Sequence, residues 1–407
     1  MNRDLPLVCI TGPPGTGKTV LLVLQGLKWL LQGHDVNVVS TRYNTRAASR
    51  MLQQQLCMSL SADPTPSPTP GTVAYREYDF HDREEDVEQA LNDLLARTKD
   101  GLLHVLIDEA YFGGRQKYGP THSTFVTRLC QSVPGLYLWA ASVVHTDIPP
   151  ELRPEPLTVP LRCAPSVLRE ITPAIERYQT SIHNYSNSGV PAPGDGLSVI
   201  RLSHHGNAHT GRWPVDCAQC GQDIAAELHR LGVGNTLCYR DVFVLTRSSD
   251  LQDDISDDGG RVVSPASPVV RGLRAAGLPV CVLSKKNKAN APRLERDLQD
   301  VALATTDRLT VAYYGYLHGM ERRVVVVLSG RNQYHDLSQT DDSIEVFDRL
   351  EAASRCTTQL IMVPTPTPTT ETNTTAATFA IATTTSKYID TIPRTSRDED
   401  NPSCIVQ

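Results

Sequence analysis

The sequence lacks an excess of basic residues, a dense cysteine framework and any long apolar run. It has 39 Lys and Arg against 45 Asp and Glu residues, a net charge of −6, so any nucleic-acid contact must come from local patches. Ten cysteines scattered over 407 residues are typical of a reducing compartment. The N-terminal "LPLVCI" is far shorter than a signal-peptide core, and no apolar run approaches the roughly 18 residues of a membrane span. These absences predict an intracellular protein of the cytoplasm or nucleus, with no integral membrane association.

Large apolar residues are also scarce at the C-terminal end of the chain. Residues 365–407 are rich in Thr and Pro, a composition that predicts disorder. The final "CIVQ" fits a prenylation motif on Cys404, but the residues before it are acidic and supply no second membrane signal. We therefore favour an unmodified tail and leave prenylation open.

The rest of the chain alternates between strand-like and helix-like segments. Apolar runs such as "VNVVS" (36–40) and "VFVLT" (242–246) are followed by amphipathic stretches of helical length. This alternation predicts an α/β fold of two tandem, doubly wound parallel-sheet lobes. A segment of linker composition near 186–196 separates them. The predicted units are residues 1–190, 191–364 and the tail 365–407.

One glycine-rich stretch has the G-x-x-x-x-G-K-[ST] pattern of a phosphate-binding loop. It lies between an apolar strand and a Leu-rich helix predicted from Val20 to Gln32, which is the context that this motif requires. Backbone N–H groups and the helix N-terminus would surround phosphate oxygens. Lys18 would reach the outer phosphates, and the Thr19 hydroxyl would hold Mg²⁺. The predicted nucleotide-binding residues are Gly12, Pro13, Pro14, Gly15, Thr16, Gly17, Lys18 and Thr19.

A pair of acids ends the strand "LLHVLIDEA" (102–110). Asp108 is placed to hold Mg²⁺, and Glu109 to polarise the water that attacks the terminal phosphate. An acid pair at a strand end can also cap the next helix. Because a phosphate-binding loop precedes it in the same α/β chain, we favour the catalytic interpretation.

The order of these segments resembles superfamily 1 helicases, and among them the compact helicase-like ATPase domains of the Schlafen type. The resemblance covers residues 5 to 363 and rests on seven segments: "GPPGTGKT", "VVSTRYNTRAA" (38–48), "LIDEA", "LTVPLRC" (157–163), "VFVLTR" (242–247), "LTVAYYGYLHGMERRVVVVL" (309–328) and "EAASRCTTQLIMV" (351–363). It implies two RecA-like lobes with ATP between them. Arg162 and Arg355 would then reach the γ-phosphate, and Glu321 would lie near the nucleotide.

The chain departs from the family pattern at several positions. "LWAASVVHTD" lacks the Gln of the third motif, which couples nucleotide to strand in relatives. His318 stands where relatives have Lys, Tyr313 where they have Thr, and Leu161 where an aromatic residue often stacks on adenine. The alternative to a helicase is therefore a nucleotide-gated switch or scaffold, in which ATP drives lobe closure for a protein partner.

A basic row is the candidate contact with single-stranded DNA or RNA. Arg42, Arg46 and Arg50 recur every four residues, which would align them on one face if the helix starts early enough. They fall in the segment where relatives touch phosphates. "YYGY" (313–316) could add stacking surfaces. The same residues could instead form a solvated helix face and a set of core tyrosines.

The segment "HHGNAHTGRWPVDCAQCGQD" (204–223) is rich in histidine and cysteine. Cys217 and Cys220 have zinc-ligand spacing, but no second C-x-x-C pair follows at finger spacing. We favour a helix start with two buried cysteines over a zinc site.

Overall fold

The computed structural model describes most of the chain before residue 365. The described residues are 6–62, 69–80, 84–112, 121–177, 179, 181–186, 197–204, 206–211, 213–246, 265–283, 291–328, 350 and 352–364. Residues 187–196 of the predicted linker and the tail with Cys404 lie outside them. In the described part of the chain, no helix combines the length and apolarity needed to cross a membrane. The predicted domain boundaries remain a prediction.

The first sheet has six strands, and every pairing in it is parallel. In chain order these are β1 (Leu7–Thr11), β2 (Val36–Ser40), β3 (Val73–Glu77), β4 (Leu102–Ile107), β5 (Gly135–Ser142) and β6 (Arg153–Pro156). Their spatial order is β3-β2-β4-β5-β1-β6. Since β1 and β4 both run in the same direction, the glycine loop and the acid pair emerge at the same edge of the sheet.

Helices cover both faces of this sheet. The helices are α1 (Lys18–Leu31), α2 (Arg46–Ala62), α3 (Glu84–Leu95) and α4 (Thr121–Ser132). Alternate residues of β1 point to opposite faces. Val8 and Ile10 pack with side chains of α1 and α2, while Cys9 packs with side chains of α3 and α4. Burial on both faces explains why the central strands are continuous apolar runs.

The second sheet also has six strands, all paired in parallel. They are β7 (Ile200–Arg201), β8 (Val242–Thr246), β9 (Val280–Leu283), β10 (Leu309–Tyr313), β11 (Arg322–Leu328) and β12 (Cys356–Val363), in the order β7-β12-β11-β8-β10-β9. Its helices are α5 (Pro165–Arg177), α6 (Ala218–Arg230), α7 (Pro268–Ala275) and α8 (Ala291–Leu303). Side chains of α5 and α8 pack on one face, and those of α6 and α7 on the other.

The predicted fold class, two doubly wound parallel sheets, is therefore confirmed. Three elements, β3, β6 and α8, were not predicted from the sequence. Strand β6 reads "RPEP", and its two prolines are compatible only with the edge position that it occupies beside β1. Helix α8 does carry an apolar stripe, Leu294, Leu298 and Val301, whose helical spacing was a usable signal.

Candidate nucleotide-binding site

Glycines allow the loop between β1 and α1 to bend. A side chain at these positions would displace the neighbouring residues. Gly15 has a φ of +75°, and a Cβ there would lie 2.4 Å from Cys163 Sγ. A Cβ on Gly12 would lie 2.0 Å from the carbonyl oxygen of Leu157. Both approaches are far inside van der Waals contact, so glycine is required at each position. The chain that follows β6 consequently packs directly against the loop.

Hydrogen bonds join the segment after β6 to the loop. The Leu161 and Arg162 N–H groups both donate to the Gly15 carbonyl oxygen, at 2.8 and 3.3 Å. The Tyr185 hydroxyl donates to the Pro14 carbonyl oxygen at 2.8 Å. These bonds hold the backbone of Arg162 beside the loop. Tyr185 was missed by the sequence analysis, because no local motif marks a residue that reaches the loop from so far along the chain.

Lys18 is folded back into the loop rather than extended into solvent. Its ammonium group donates to the carbonyl oxygens of Gly12 at 2.8 Å and Pro13 at 3.0 Å. Burial lowers the pKa of Lys18, and the nearby Glu109 and Asp108 carboxyls oppose that shift. The ammonium is thus buried among carbonyl and carboxyl oxygens at the point where the motif predicts phosphate contacts.

The two predicted metal ligands are in direct contact. The Thr19 hydroxyl donates to Asp108 Oδ2 at 3.0 Å, although the residues are 89 positions apart. The Glu109 N–H donates to Asp108 Oδ1, also at 3.0 Å. Burial raises the pKa of the Asp108 carboxyl, and the adjacent Glu109 adds to that effect. A hydroxyl and a carboxylate are hard oxygen donors of the kind that Mg²⁺ prefers, so the residues fit that ion.

Glu109 occupies an unusual backbone conformation beside the second sheet. Its φ of +52° lies in the left-handed region, which is uncommon for residues other than glycine. A Cβ on Gly319 would lie 3.0 Å from Glu109 Cγ and 2.8 Å from Ala48 Cβ. The turn before β11 therefore packs tightly against Glu109 and Ala48. Gly319 lies in the segment 309–328 that resembles a helicase motif, but nothing in the sequence indicated this contact.

The remaining charged groups come from the segment between β6 and α5 and from the residues just before β11 and β12. Arg162 Nη1 lies 3.3 Å from Glu321 Oε2. Arg355 is only 5% exposed, and its Nη1 donates to the Leu317 carbonyl oxygen at 2.6 Å. Burial raises the pKa of Glu321, whereas Arg162, Lys18 and Arg355 lower it. Arg162, Glu321 and Arg355 thus lie near one another and near Lys18 of the loop.

A small cavity joins these groups. Its volume is about 50 Å³, and Lys18, Thr19, Glu109, Arg162, Glu321 and Arg355 are among its lining residues. A larger cavity of about 420 Å³ shares Thr19, Arg162, Gly319 and Glu321 with it. His318 also lines the small cavity, and burial together with Arg355 lowers its pKa to about 3. His318 is therefore neutral near pH 7 and adds no positive charge to the cavity.

The structure separates the predicted arginine row. Helix α2 begins at Arg46, because residues Tyr43–Thr45 form a 3₁₀ turn, so Arg42 lies before the helix. The expectation that all three arginines share one helix face is therefore wrong. Arg42 is over the Tyr111 ring, with 5.1 Å between the guanidinium carbon and the ring centroid.

Arg46 and Arg50 belong to an ion-pair network that bridges the two sheets. Arg46 Nη1 lies 3.8 Å from Glu77 at the end of β3 and 3.5 Å from Glu295 in α8. Arg50 Nη2 lies 3.5 and 3.7 Å from the same two carboxylates. All four side chains are between 22% and 32% exposed. Phosphate contact at these arginines would compete with two carboxylates.

The tyrosines proposed as stacking surfaces lie mainly in the core. Tyr314 is 8% exposed and Tyr316 7% exposed, and both pack in the apolar cluster between the second sheet and α5. Tyr313 is partly buried against the same cluster. The alternative interpretation, core tyrosines, is confirmed for Tyr314 and Tyr316.

Comparisons with known proteins give structural neighbours only. No protein-family model and no curated protein sequence matches the chain. The arterivirus nonstructural protein 10 helicase is 15% identical over 88% of this chain and 59% of its own, with a TM-score of 0.34. The Escherichia coli DEAH/RHA helicase HrpB is 16% identical over 88% of this chain and 40% of its own, with a TM-score of 0.39. A Saccharomyces cerevisiae Dbp5 variant bound to Gle1 is 13% identical over 89% of this chain and 79% of its own, with a TM-score of 0.43.

The arterivirus and Escherichia coli proteins are helicases, and the chain spans 59% of the first and 40% of the second. At TM-scores below 0.5, none of the three likenesses supports an inference about activity. Any functional conclusion must rest on the residues of the site.

Proposed function

We propose that this chain is a helicase-type NTPase that binds ATP with Mg²⁺, hydrolyses it, and acts on single-stranded DNA or RNA. One observation carries the proposal. The Thr19 hydroxyl contacts Asp108 beside the buried Lys18, while Glu321 and Arg355 of the second sheet face the same cavity. This is the donor set that phosphoryl transfer requires, drawn from two separate sheets.

The loop residues would hold the nucleotide. Lys18 would exchange its carbonyl partners for phosphate oxygens, and the glycine-lined backbone would supply N–H donors. Thr19 and Asp108 would hold Mg²⁺, which when bound neutralises charge on the phosphates. The adjoining cavity of about 420 Å³ is within the size range of ligand pockets and would receive the remainder of the nucleotide.

Three residues would act on the transferring phosphate. Glu109 lies next to the metal-binding acid and would accept a proton from the attacking water. Arg355 and Arg162 would place guanidinium charge where negative charge develops, a task suited to their permanent charge and planar shape. Arg162 would first have to leave Glu321, with which it is paired at 3.3 Å. Nucleotide binding would therefore be coupled to rearrangement between the sheets.

Substitutions in the network of Arg46, Arg50, Glu77 and Glu295 test the proposed binding of single-stranded nucleic acid. If Arg46 and Arg50 bind phosphates, Glu77 and Glu295 compete with the strand for them. Changing both acids to Gln should then tighten single-strand binding and steepen its salt dependence. Changing both arginines to Ala should do the opposite. Fluorescence anisotropy of a labelled single-stranded oligonucleotide at several salt concentrations measures both.

A control is available in the ion pair between Glu227 and Arg230 on α6, in which Arg230 is exposed and Glu227 is partly buried. Glu227→Gln should leave strand binding unchanged. If the network substitutions change affinity no more than Glu227→Gln does, the network does not contact the strand.

The alternative is a nucleotide-gated switch that binds a protein partner. The same network favours it, because Glu77 and Glu295 already neutralise the arginines and tie α2 to α8. ATP turnover with and without single-stranded oligonucleotides separates the two functions. Hydrolysis without stimulation and without strand binding at low salt would replace the helicase proposal with the switch.

A further inference from the structure

Two histidines and two cysteines meet on the second sheet, away from the nucleotide site. His204 and His209 lie in the segment after β7, and Cys217 and Cys220 lie at the start of α6. One ligand atom from each of the four residues lies within 4.8 Å of the others. We propose that these residues form a structural zinc site. The proposal is independent of the proposed ATPase activity.

The distances suit a single tetrahedral ion. Zinc bonds of about 2.3 Å to sulfur and 2.0–2.1 Å to nitrogen place neighbouring ligand atoms roughly 3.3–3.8 Å apart. His209 Nδ1 lies 3.5 Å from Cys217 Sγ and 3.4 Å from Cys220 Sγ. His204 Nδ1 is closer to Cys220 Sγ, at 2.8 Å. Two sulfurs and two imidazole nitrogens form a closed ligand set of the Cys₂His₂ type.

The surroundings of the ligands also match a metal site. Backbone N–H groups of Thr210 and Cys220 point at Cys217 Sγ, at 3.4 and 3.5 Å, which would stabilise a thiolate. The other ring nitrogen of His209, Nε2, lies 3.5 Å from Asp223 Oδ2. A carboxylate on the far side of a ligand imidazole is a common support of metal-bound histidine, because it fixes the tautomer and the ring orientation.

Burial argues against a coincidental cluster. Cys217, Cys220 and His204 are 0%, 2% and 3% exposed. Both cysteines are free thiols, so no disulfide explains their proximity. The sequence analysis favoured two buried cysteines at a helix start, and their location is confirmed, since Cys217 is the N-cap of α6. That interpretation gives no reason for two imidazole nitrogens to point at the sulfurs, whereas a shared zinc ion does.

The consequence of zinc binding would be a fixed helix start. Cys217 and Cys220 belong to the apolar cluster of α6, α7 and the second sheet. Helices α6 and α7 pack so closely that a Cβ on Gly221 would lie 2.2 Å from the Val269 carbonyl oxygen. A zinc ion that joins the segment after β7 to α6 would fix the position of α6 against α7 and the second sheet. Removal of zinc should loosen the second sheet without altering any residue of the nucleotide site.

Metal analysis of the purified full chain tests the proposal. After removal of any affinity tag, elemental analysis should give about one zinc ion per chain. Cys217→Ser combined with Cys220→Ser should reduce the zinc content at least tenfold. Cys130→Ser, at a partly buried cysteine outside the cluster, is the matched control and should retain the full complement. Asp223→Asn should weaken zinc affinity by about 10–100-fold.

A second measurement does not depend on the folding of a variant. Wild-type chain stripped with a chelator and titrated with Co²⁺ should give the visible bands of tetrahedral cobalt and a thiolate-to-metal charge-transfer band. Wild-type protein that contains no zinc and gives no tetrahedral cobalt spectrum would overturn the proposal. Full zinc retention by the double cysteine variant would overturn it equally.

Discussion

Adding one methyl group to the glycine loop should reveal how tightly the segment after β6 holds it. Gly15→Ala introduces two costs. Alanine at a φ of +75° is strained by about 1–2 kcal/mol. Its Cβ would also lie 2.4 Å from Cys163 Sγ, an overlap that should add about 1–3 kcal/mol. We expect Gly15→Ala to lower the free energy of unfolding by about 2–5 kcal/mol.

Gly101 provides a control with nearly the same backbone angle. Its φ is +76°, and a Cβ there would meet nothing within 4 Å. Gly101→Ala should therefore cost only the backbone strain, about 1–2 kcal/mol. The difference between the two variants isolates the contact with Cys163.

A double substitution provides an internal check. After Cys163→Ala, the nearest atoms to the added Cβ would be the Cys163 backbone nitrogen at 3.5 Å and Cβ at 3.6 Å, which are ordinary contacts. The pair Gly15→Ala with Cys163→Ala should therefore regain about 1–3 kcal/mol relative to the sum of the single variants. Urea unfolding followed by circular dichroism and tryptophan fluorescence measures wild type and the four variants. Equal costs for Gly15→Ala and Gly101→Ala would refute the packing of this segment on the loop.

Three further substitutions test separate parts of the account. Lys18→Ala should weaken ATP binding roughly 10–150-fold, which corresponds to the loss of charge-assisted hydrogen bonds worth about 1.5–3 kcal/mol. Lys28→Ala on the same helix should leave ATP binding unchanged, and titration with fluorescent ATP measures both variants. Arg355→Ala should lower kcat about 10³-fold with a much smaller change in ATP affinity, as steady-state kinetics would show, since its charge matters most in the transition state. Gly272→Ala should destabilise the second sheet by about 1–3 kcal/mol in urea unfolding, because its Cβ would lie 2.0 Å from the Ala218 carbonyl oxygen.

The parts of the fold and site that local patterns encode were predictable from the sequence. The central strands of both sheets, such as β1, β2, β4, β8 and β11, are apolar runs between turn residues, and the glycine loop is a contiguous motif. The approach of Thr19 to Asp108 followed from parallel topology, because strand ends in one sheet share an edge. This contact could therefore be predicted from the topology alone, without a resemblance to any family.

Two kinds of feature were not predictable: the exact start of a helix, and contacts between residues far apart in the sequence. The 3₁₀ turn that removes Arg42 from α2 is stabilised by the Thr45 hydroxyl, which donates to the Arg42 carbonyl oxygen at 3.0 Å. The pairing of Arg46 with Glu295 joins two sheets. The histidine–cysteine cluster was discounted for want of a second C-x-x-C pair. Its remaining ligands, His204 and His209, come from upstream of the cysteines and meet them only in the folded chain.

Phosphate release by wild type and Glu109→Gln tests the central claim most directly. Both proteins would be given ATP and Mg²⁺, with Glu88→Gln on the exposed face of α3 as the matched control. We expect wild type and Glu88→Gln to hydrolyse ATP at similar rates. Glu109→Gln should bind ATP within a few-fold of wild type, yet release phosphate about 10²–10⁴-fold more slowly. Undiminished turnover in Glu109→Gln, or no turnover in wild type, would contradict the assignment of this site as a hydrolytic centre.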